Sequence, residues 1–105
     1  MKTISVDELK ELMDTGADFK LIDVREPGEY EAANIGGELI PLQTVPQNKD
    51  KFEAEKQVIV MCRSGNRSGQ AVNFLAQNFG LTELYNLEGG ILEWKAEIDP
   101  TLDVD

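Results

Sequence analysis

The sequence predicts an α/β domain in which a mostly parallel β-sheet carries helices on both faces. Short apolar runs alternate along the chain with amphipathic segments, and this order is typical of strand–helix–strand units with parallel pairing. The strongest run, Val58-Ile59-Val60-Met61, is apolar on both faces of a strand, as expected at the centre of a parallel sheet. A length of 105 residues allows one domain with a real core.

The N-terminal part of the chain predicts a helix followed by a strand. Ser5-Val6-Asp7-Glu8 has the residues of a capping box, so a helix begins there, and Gly16 lies near its end. Residues 19–24 form a short apolar run that predicts a strand. The following Arg25-Glu26-Pro27-Gly28 is interpreted as a turn that closes this strand.

The middle of the chain gives the weakest pattern. Residues 38–42 are a strand candidate, and Pro41 favours the edge or the end of a strand because proline cannot donate a ladder hydrogen bond. Residues 44–56 are expected to form a loop with one helical turn around residues 50–54. No internal repeat or linker indicates a second domain.

The C-terminal part predicts two helices around a further strand. Residues 68–78 have apolar side chains at the spacing of one helix face, and Gly80 provides the stop. Residues 83–87 predict a short strand, and Gly89-Gly90 precedes a last helix near residues 91–96.

Composition excludes several classes of site. Twenty acidic residues against ten basic ones give a net charge of −10, which argues against binding to nucleic acid or to an anionic membrane. The absence of histidine excludes a catalytic dyad or triad that needs it and a metal site built on imidazole. The single cysteine, Cys62, excludes an intramolecular disulfide and a zinc site of several thiolates. No cofactor is expected. A free thiol without a visible signal peptide or membrane span predicts a cytoplasmic protein.

The segment after the central strand carries the candidate chemistry: Cys62-Arg63-Ser64-Gly65-Asn66-Arg67-Ser68. Successive N–H groups of residues 63–67 can converge into an anion-binding nest, and the first turn of the next helix adds further N–H groups. Such a loop stabilises a thiolate, so Cys62 is the candidate nucleophile and needs no separate base. The alternative is that Cys62 is a small buried apolar residue. Two arginines and a glycine in the five residues after Cys62 favour the nucleophile over the buried apolar residue.

These residues resemble the active-site loop of single-domain rhodaneses, which are thiosulfate sulfurtransferases. Leu21-Ile22-Asp23-Val24-Arg25 with Pro27-Gly28-Glu29-Tyr30 resembles the first signature of that family, and Asn86-Leu87-Glu88-Gly89-Gly90-Ile91 with Trp94 resembles the last. The similarity covers residues 5–94 and leaves residues 99–105 as an acidic tail. It implies one rhodanese-like domain with a five-stranded sheet. The family often has Gly-His-Ile where this chain has Ala33-Asn34-Ile35. We expect this difference to affect local packing more than activity.

The resemblance implies a ping-pong sulfur transfer through a persulfide on Cys62. Arg63 and Arg67 would bind the oxygens of thiosulfate, and the other loop residues, Ser64, Gly65, Asn66 and Ser68, would complete the substrate site. The acceptor would be cyanide or a thiol, such as glutathione or a thioredoxin-like protein. A loop with two arginines favours thiosulfate over 3-mercaptopyruvate, because 3-mercaptopyruvate carries less negative charge. The sequence leaves the oligomeric state open, with a monomer as the expectation.

Two neighbouring residues have two interpretations each. As motif residues, Asp23 would brace the active-site loop and Arg25 would pair with an acid such as Glu29. Alternatively, Asp23 caps the strand end and Arg25 is exposed to solvent. We favour bracing of the active-site loop as the role of Asp23. Arg25 is assigned a structural role.

Two other functions are compatible with parts of the sequence. A cysteine phosphatase or an arsenate reductase is disfavoured, because phosphatases of this kind place five residues between the cysteine and the arginine, and only four separate Cys62 from Arg67. A persulfide carrier, which relays sulfur between partner proteins, would use the same cysteine and the same loop. The sequence does not distinguish this carrier from an enzyme.

Overall fold

The computed structural model describes residues 1–104, and its core is a parallel sheet. All pairings are parallel, in the spatial order β1-β5-β4-β2-β3, which confirms the predicted fold class. The five strands are β1 (Thr3–Ile4), β2 (Phe19–Asp23), β3 (Glu38–Leu39), β4 (Gln57–Met61) and β5 (Leu84–Leu87). The four α-helices are α1 (Val6–Asp14), α2 (Pro27–Ala32), α3 (Asn66–Phe79) and α4 (Gly90–Glu97).

Strand β4 lies at the centre of the sheet, as its sequence predicts. Its alternating side chains supply two separate cores: Val58 and Val60 belong to one, and Ile59 and Met61 to the other. All four are fully buried, because a central parallel strand is covered on both faces. Cys62 continues the first set at the end of the strand.

Helices cover both faces of the sheet, as predicted. Helix α3 packs on one face through Val72 and Leu75, and helices α1 and α4 pack on the other, where Leu9 and Trp94 lie in the core. The C-terminal tail also packs on this second face through partly buried apolar side chains, Leu102 and Val104. Asp105 of the predicted tail lies outside the described residues.

The capping box at the start of α1 is present as predicted. The Ser5 hydroxyl accepts from the Glu8 N–H at 3.1 Å, and the Glu8 carboxylate accepts from the Ser5 N–H at 3.0 Å. Hydrogen bonding of the Glu8 carboxylate to the backbone N–H of Ser5, and to the Ser5 side chain, lowers the pKa of Glu8 below its usual value. Two of the otherwise unpaired N–H groups of the helix end are thereby satisfied.

Three short elements differ from the predictions. The segment interpreted as a turn is the beginning of α2, because Pro27 occupies the first helical position and Glu29 accepts from the Glu26 N–H at 3.0 Å. The edge strand β3 is confirmed but has only two residues. Helical structure in the middle segment is of the 3₁₀ type, and it covers Leu42–Thr44 and Pro46–Phe52 rather than residues 50–54.

Asn34, which stands where the family often has histidine, has a defined structural role. Its side-chain amide donates to the Tyr30 carbonyl at 3.1 Å, and its side-chain oxygen accepts from the Gly36 N–H at 2.9 Å. Asn34 therefore ties the end of α2 to the following turn. Within residues 1–104, no helix is long and apolar enough to cross a membrane.

Candidate active site

The loop of residues 62–67 lies at the carboxyl edge of the sheet, between the ends of β2 and β5. The register pairs Asp23 with Met61 and Asn86 with Val60, so both neighbouring strands end beside the loop. This edge is where ligands bind in open α/β sheets. Gly65 has φ +104°, a left-handed conformation that turns the chain from the strand into α3.

Cys62 is fully buried at the base of this loop, and its sulfur accepts hydrogen bonds from the loop. The Gly65 N–H lies 3.1 Å from Sγ and the Ser68 hydroxyl lies 3.3 Å from it. Burial raises the pKa of Cys62, but hydrogen bonds from the Ser68 hydroxyl and from the N–H groups of Ser68, Gly65 and Ser64 outweigh this effect. The pKa of Cys62 is therefore lowered, which favours the nucleophilic thiolate.

The start of α4 fixes the first two peptide groups of the loop. The Ile91 N–H donates to the Cys62 carbonyl at 3.0 Å, and the Leu92 N–H donates to the Arg63 carbonyl at 3.1 Å. Gly90 has φ +58°, and a side chain there would collide with both carbonyl oxygens. The paired glycines that precede the last helix thus allow the end of this helix to contact the loop directly.

Asn86 is a functional candidate that the sequence analysis missed. It lies on β5 and is buried, and its side-chain oxygen is 2.5 Å from the Ser68 hydroxyl. Its side-chain nitrogen donates to the Gly65 carbonyl at 3.1 Å. The sequence did contain a signal for Asn86, which is an amide within an otherwise apolar strand. A polar side chain that is buried in this way requires hydrogen-bond partners.

Arg67 does not point freely into the site but forms a two-point ion pair with Glu29. The nitrogens Nη1 and Nη2 lie 2.7 and 2.9 Å from the two carboxylate oxygens. Hydrogen bonding to Arg67 lowers the pKa of Glu29 to about 2, although partial burial opposes it, and the pKa of Arg67 is raised in turn. Glu29 therefore reduces the positive charge that Arg67 presents to an anionic donor.

Of the two interpretations of Arg25, pairing with a neighbouring acid agrees with the contacts, but that acid is Asp23 and not Glu29. Arg25 is buried and forms its ion pair with Asp23, through Nε and Nη2 at 2.9–3.1 Å, so it is not exposed to solvent. It also donates to the Ala33 carbonyl at 2.8 Å and to the Glu29 carbonyl at 3.4 Å. Asp23 thus holds Arg25, which in turn contacts α2 and the residue after it through the Glu29 and Ala33 carbonyls.

The remaining predicted residues lie at the rim of the loop. Arg63, Ser64 and Asn66 are exposed, and Asn66 is the first residue of α3. Beside the loop is a cavity of about 150 Å³, and the charged residues that line it are Arg25, Arg63, Glu29 and Asp103. The positive charge of the two arginines that line this cavity is therefore offset by two carboxylates. Within residues 1–104, no group of acidic or sulfur side chains is placed to hold a metal ion.

The chain belongs to the rhodanese-like family, because the model of the rhodanese-like domain matches residues 5–97. A solved structure of a rhodanese-like domain protein from Staphylococcus aureus superposes with a TM-score of 0.82 at 31% identity. The match covers 100% of this chain and 99% of that structure, which supports the predicted fold over the whole domain.

Proteins connected with sulfur transfer are among the relatives. A sulfurtransferase of Allochromatium vinosum is 33% identical over 92 residues, which are 87% of this chain and 85% of that protein. YrkF of Bacillus subtilis, described as a candidate sulfur carrier protein, is 29% identical over 97 residues, 91% of this chain. The chain spans about half, 52%, of YrkF. The relatives thus include one protein named as a sulfurtransferase and one named as a candidate sulfur carrier.

Proposed function

We propose that this protein is a sulfurtransferase that carries sulfur from thiosulfate to a thiophilic acceptor as a persulfide on Cys62. The observation that carries the proposal is the cradle around Sγ, where the Gly65 N–H and the Ser68 hydroxyl both point at the sulfur. Hydrogen-bond donors that are fixed around a buried sulfur stabilise negative charge on it before, during and after transfer.

In the first step the Cys62 thiolate attacks the outer sulfur of thiosulfate. The new bond joins Sγ to that sulfur, the bond to the sulfonate sulfur breaks, and sulfite leaves with the bonding electron pair. One negative charge remains on the persulfide and two leave on sulfite, which balances the three charges of the reactants. Arg63 and Arg67 attract the dianion and orient its oxygens.

In the second step an acceptor attacks the outer sulfur of the persulfide. Cyanide gives thiocyanate, and a thiolate gives a new persulfide; in both cases the electron pair of the sulfur–sulfur bond returns to Sγ. The cradle then stabilises the Cys62 thiolate as a leaving group. Glutathione and a thioredoxin-like protein are the thiol acceptors that we propose, in a reducing compartment such as the cytoplasm.

The preference for thiosulfate over 3-mercaptopyruvate rests on the two arginines of the loop, because a dianion gains more than a monoanion from each positive charge. The ion pair between Arg67 and Glu29 weakens this argument by partly neutralising one arginine.

The test is the intact mass of the reduced protein after brief incubation with thiosulfate, and again after addition of cyanide. We expect the gain of one sulfur atom and its loss to cyanide, with no gain in the Cys62→Ser variant. The variant should fold normally, since serine replaces the thiol with little change in volume. Absence of added sulfur in fully reduced wild-type protein would overturn thiosulfate as the donor.

A persulfide carrier is the second candidate, favoured by the similarity to YrkF. It differs in its donor, which would be the persulfide of a partner protein. The initial rate of Cys62 persulfide formation should be compared for thiosulfate and for a protein persulfide at equal concentration. A rate that is faster by orders of magnitude with the protein donor would favour the carrier.

A further inference from the structure

The contacts of Asn86 fix the orientation of its side-chain amide. The Gly65 carbonyl is only an acceptor, so the Asn86 atom that lies 3.1 Å from it must be the NH₂ group. The atom that faces Ser68 at 2.5 Å is therefore the Asn86 carbonyl oxygen, which is only an acceptor. Any hydrogen bond between these two side chains must use the proton of the Ser68 hydroxyl.

That hydroxyl proton faces a second acceptor, the sulfur of Cys62 at 3.3 Å. Ser68 is fully buried and Asn86 is nearly so, which leaves little room for water to replace either partner. A hydroxyl has one proton and cannot donate fully to both acceptors at once. The geometry therefore describes two states of one side chain, with the proton directed either to Asn86 or to Cys62.

We propose that Asn86 is a positioning residue of the sulfur-transfer site, which acts by competing with Cys62 Sγ for the Ser68 hydroxyl proton. This inference rests on the proposed function in assigning the nucleophile to Cys62. When Sγ is a thiol or is bonded to a second sulfur, the hydroxyl donates to Asn86 Oδ1. When Sγ is a thiolate, the hydroxyl donates to Sγ, because hydrogen bonds to an ionised acceptor are the stronger ones.

The competition gives the hydroxyl a defined movement during turnover. As the acceptor attacks the outer sulfur, the sulfur–sulfur bond breaks and its electron pair returns to Sγ. The Ser68 proton then turns from Asn86 to the newly formed thiolate, without any net transfer of a proton. Asn86 thus keeps the hydroxyl in place while Sγ is uncharged, and gives it up when charge develops there.

Charged groups near Cys62 lie on the loop and on the elements packed against it. Arg63 and Arg67 belong to the loop, Asp23 is the last residue of β2, Arg25 follows that strand, and Glu29 lies on α2. The variants below change none of these side chains. A change in the titration of Cys62 can therefore be assigned to residue 86 or to Ser68.

The experiment measures the rate of Cys62 alkylation by iodoacetamide as a function of pH, which gives the midpoint of thiolate formation and requires no sulfur transfer. In Asn86→Leu the competing acceptor is lost, so we expect the midpoint to fall by about 0.5–1 pH unit, since a net hydrogen bond of about 1 kcal/mol is removed from the thiol state. In Ser68→Ala the donor is lost, and the midpoint should rise. Asn86→Ala should repeat the direction of Asn86→Leu if leucine does not fit.

Two comparisons separate this role from simple support of the loop. Asn86→Asp and Asn86→Leu both lose the donor to the Gly65 carbonyl, but aspartate keeps an acceptor for Ser68 and adds a negative charge, which strengthens that acceptor and repels the thiolate, so its midpoint should rise. In the Ser68→Ala background, Asn86→Leu should give no shift. Shifts of the same sign in both Asn86 variants, or a shift of Asn86→Leu that persists without Ser68, would overturn the proposal. Because the readout is alkylation, failure of persulfide formation in the mass experiment would be a separate result.

Discussion

Two arginine–carboxylate pairs lie near the active-site loop, and they differ in their exposure to solvent. The side chains of the Arg25–Asp23 pair are 2% and 0% exposed, whereas those of the Arg67–Glu29 pair are 31% and 30% exposed. Both pairs use two nitrogens of the guanidinium against two carboxylate oxygens. The same chemistry therefore occurs once inside the domain and once at its surface.

The difference shows how the site is supported. Arg25 binds the carbonyls of Glu29 and Ala33 and so holds helix α2, which carries Glu29. Glu29 in turn holds Arg67 of the loop. The buried pair is structural, because removal of either member would leave the other as an uncompensated charge inside the domain. The outer pair is screened by solvent, since water reaches both groups.

The largest effect is expected from breaking the buried pair. Arg25→Ala leaves the Asp23 carboxylate buried without its partner, which should lower the free energy of unfolding by about 3–5 kcal/mol. Urea denaturation at pH 7 measures this change. Lys10→Ala is the matched control, because the Lys10–Asp14 pair is 43% and 59% exposed and should contribute less than about 0.5 kcal/mol. Equal losses in the two variants would contradict the distinction by burial.

A smaller, pH-dependent effect is expected from the outer pair. Glu29→Gln keeps an acceptor for the Glu26 N–H but removes the charge, and should cost about 1–2 kcal/mol at pH 7, because partial exposure screens the pair. Since the pKa of Glu29 is lowered from 4.5 to about 2, the stabilisation is complete above about pH 4.5 and is lost as the pH falls toward 2.

Urea denaturation of the Glu29→Gln variant and the wild type between pH 7 and pH 2 checks this window. The difference in the free energy of unfolding should be constant from pH 7 to about pH 5 and should disappear near pH 2. A difference that stays unchanged down to pH 2 would show that the charge of Glu29 does not cause it.

The smallest effect is expected on substrate binding, and it should have opposite signs in two variants. Arg67→Ala should raise the KM for thiosulfate, and Glu29→Gln should lower it by about threefold, because removing the acid leaves more positive charge for the dianion. Steady-state kinetics with cyanide as the acceptor measures both values. A KM that rises in both variants would indicate that Glu29 serves to orient Arg67 rather than to weaken its charge.

Much of the fold could be predicted from local patterns. The capping box at Ser5, the apolar run of β4 and the glycine that ends α3 each act over a few residues, so their sequence signals are complete. Helix α2 was missed because it has six residues and its start at Pro27 resembles a turn. Strand β1 was missed because two residues show no periodicity.

The candidate active site likewise has one part that local sequence predicts and another part that it does not. The sequence by itself predicted the candidate nucleophile and the cradle around it, because Cys62, Gly65 and Ser68 are close along the chain and the backbone of a strand–loop–helix turn brings them together. Only the tertiary structure decided that Glu29 pairs with Arg67, 38 residues away, and that Asn86 contacts Ser68, 18 residues away. Such pairings depend on which strand ends lie side by side at the edge of the sheet, and this order is set by packing of the whole domain.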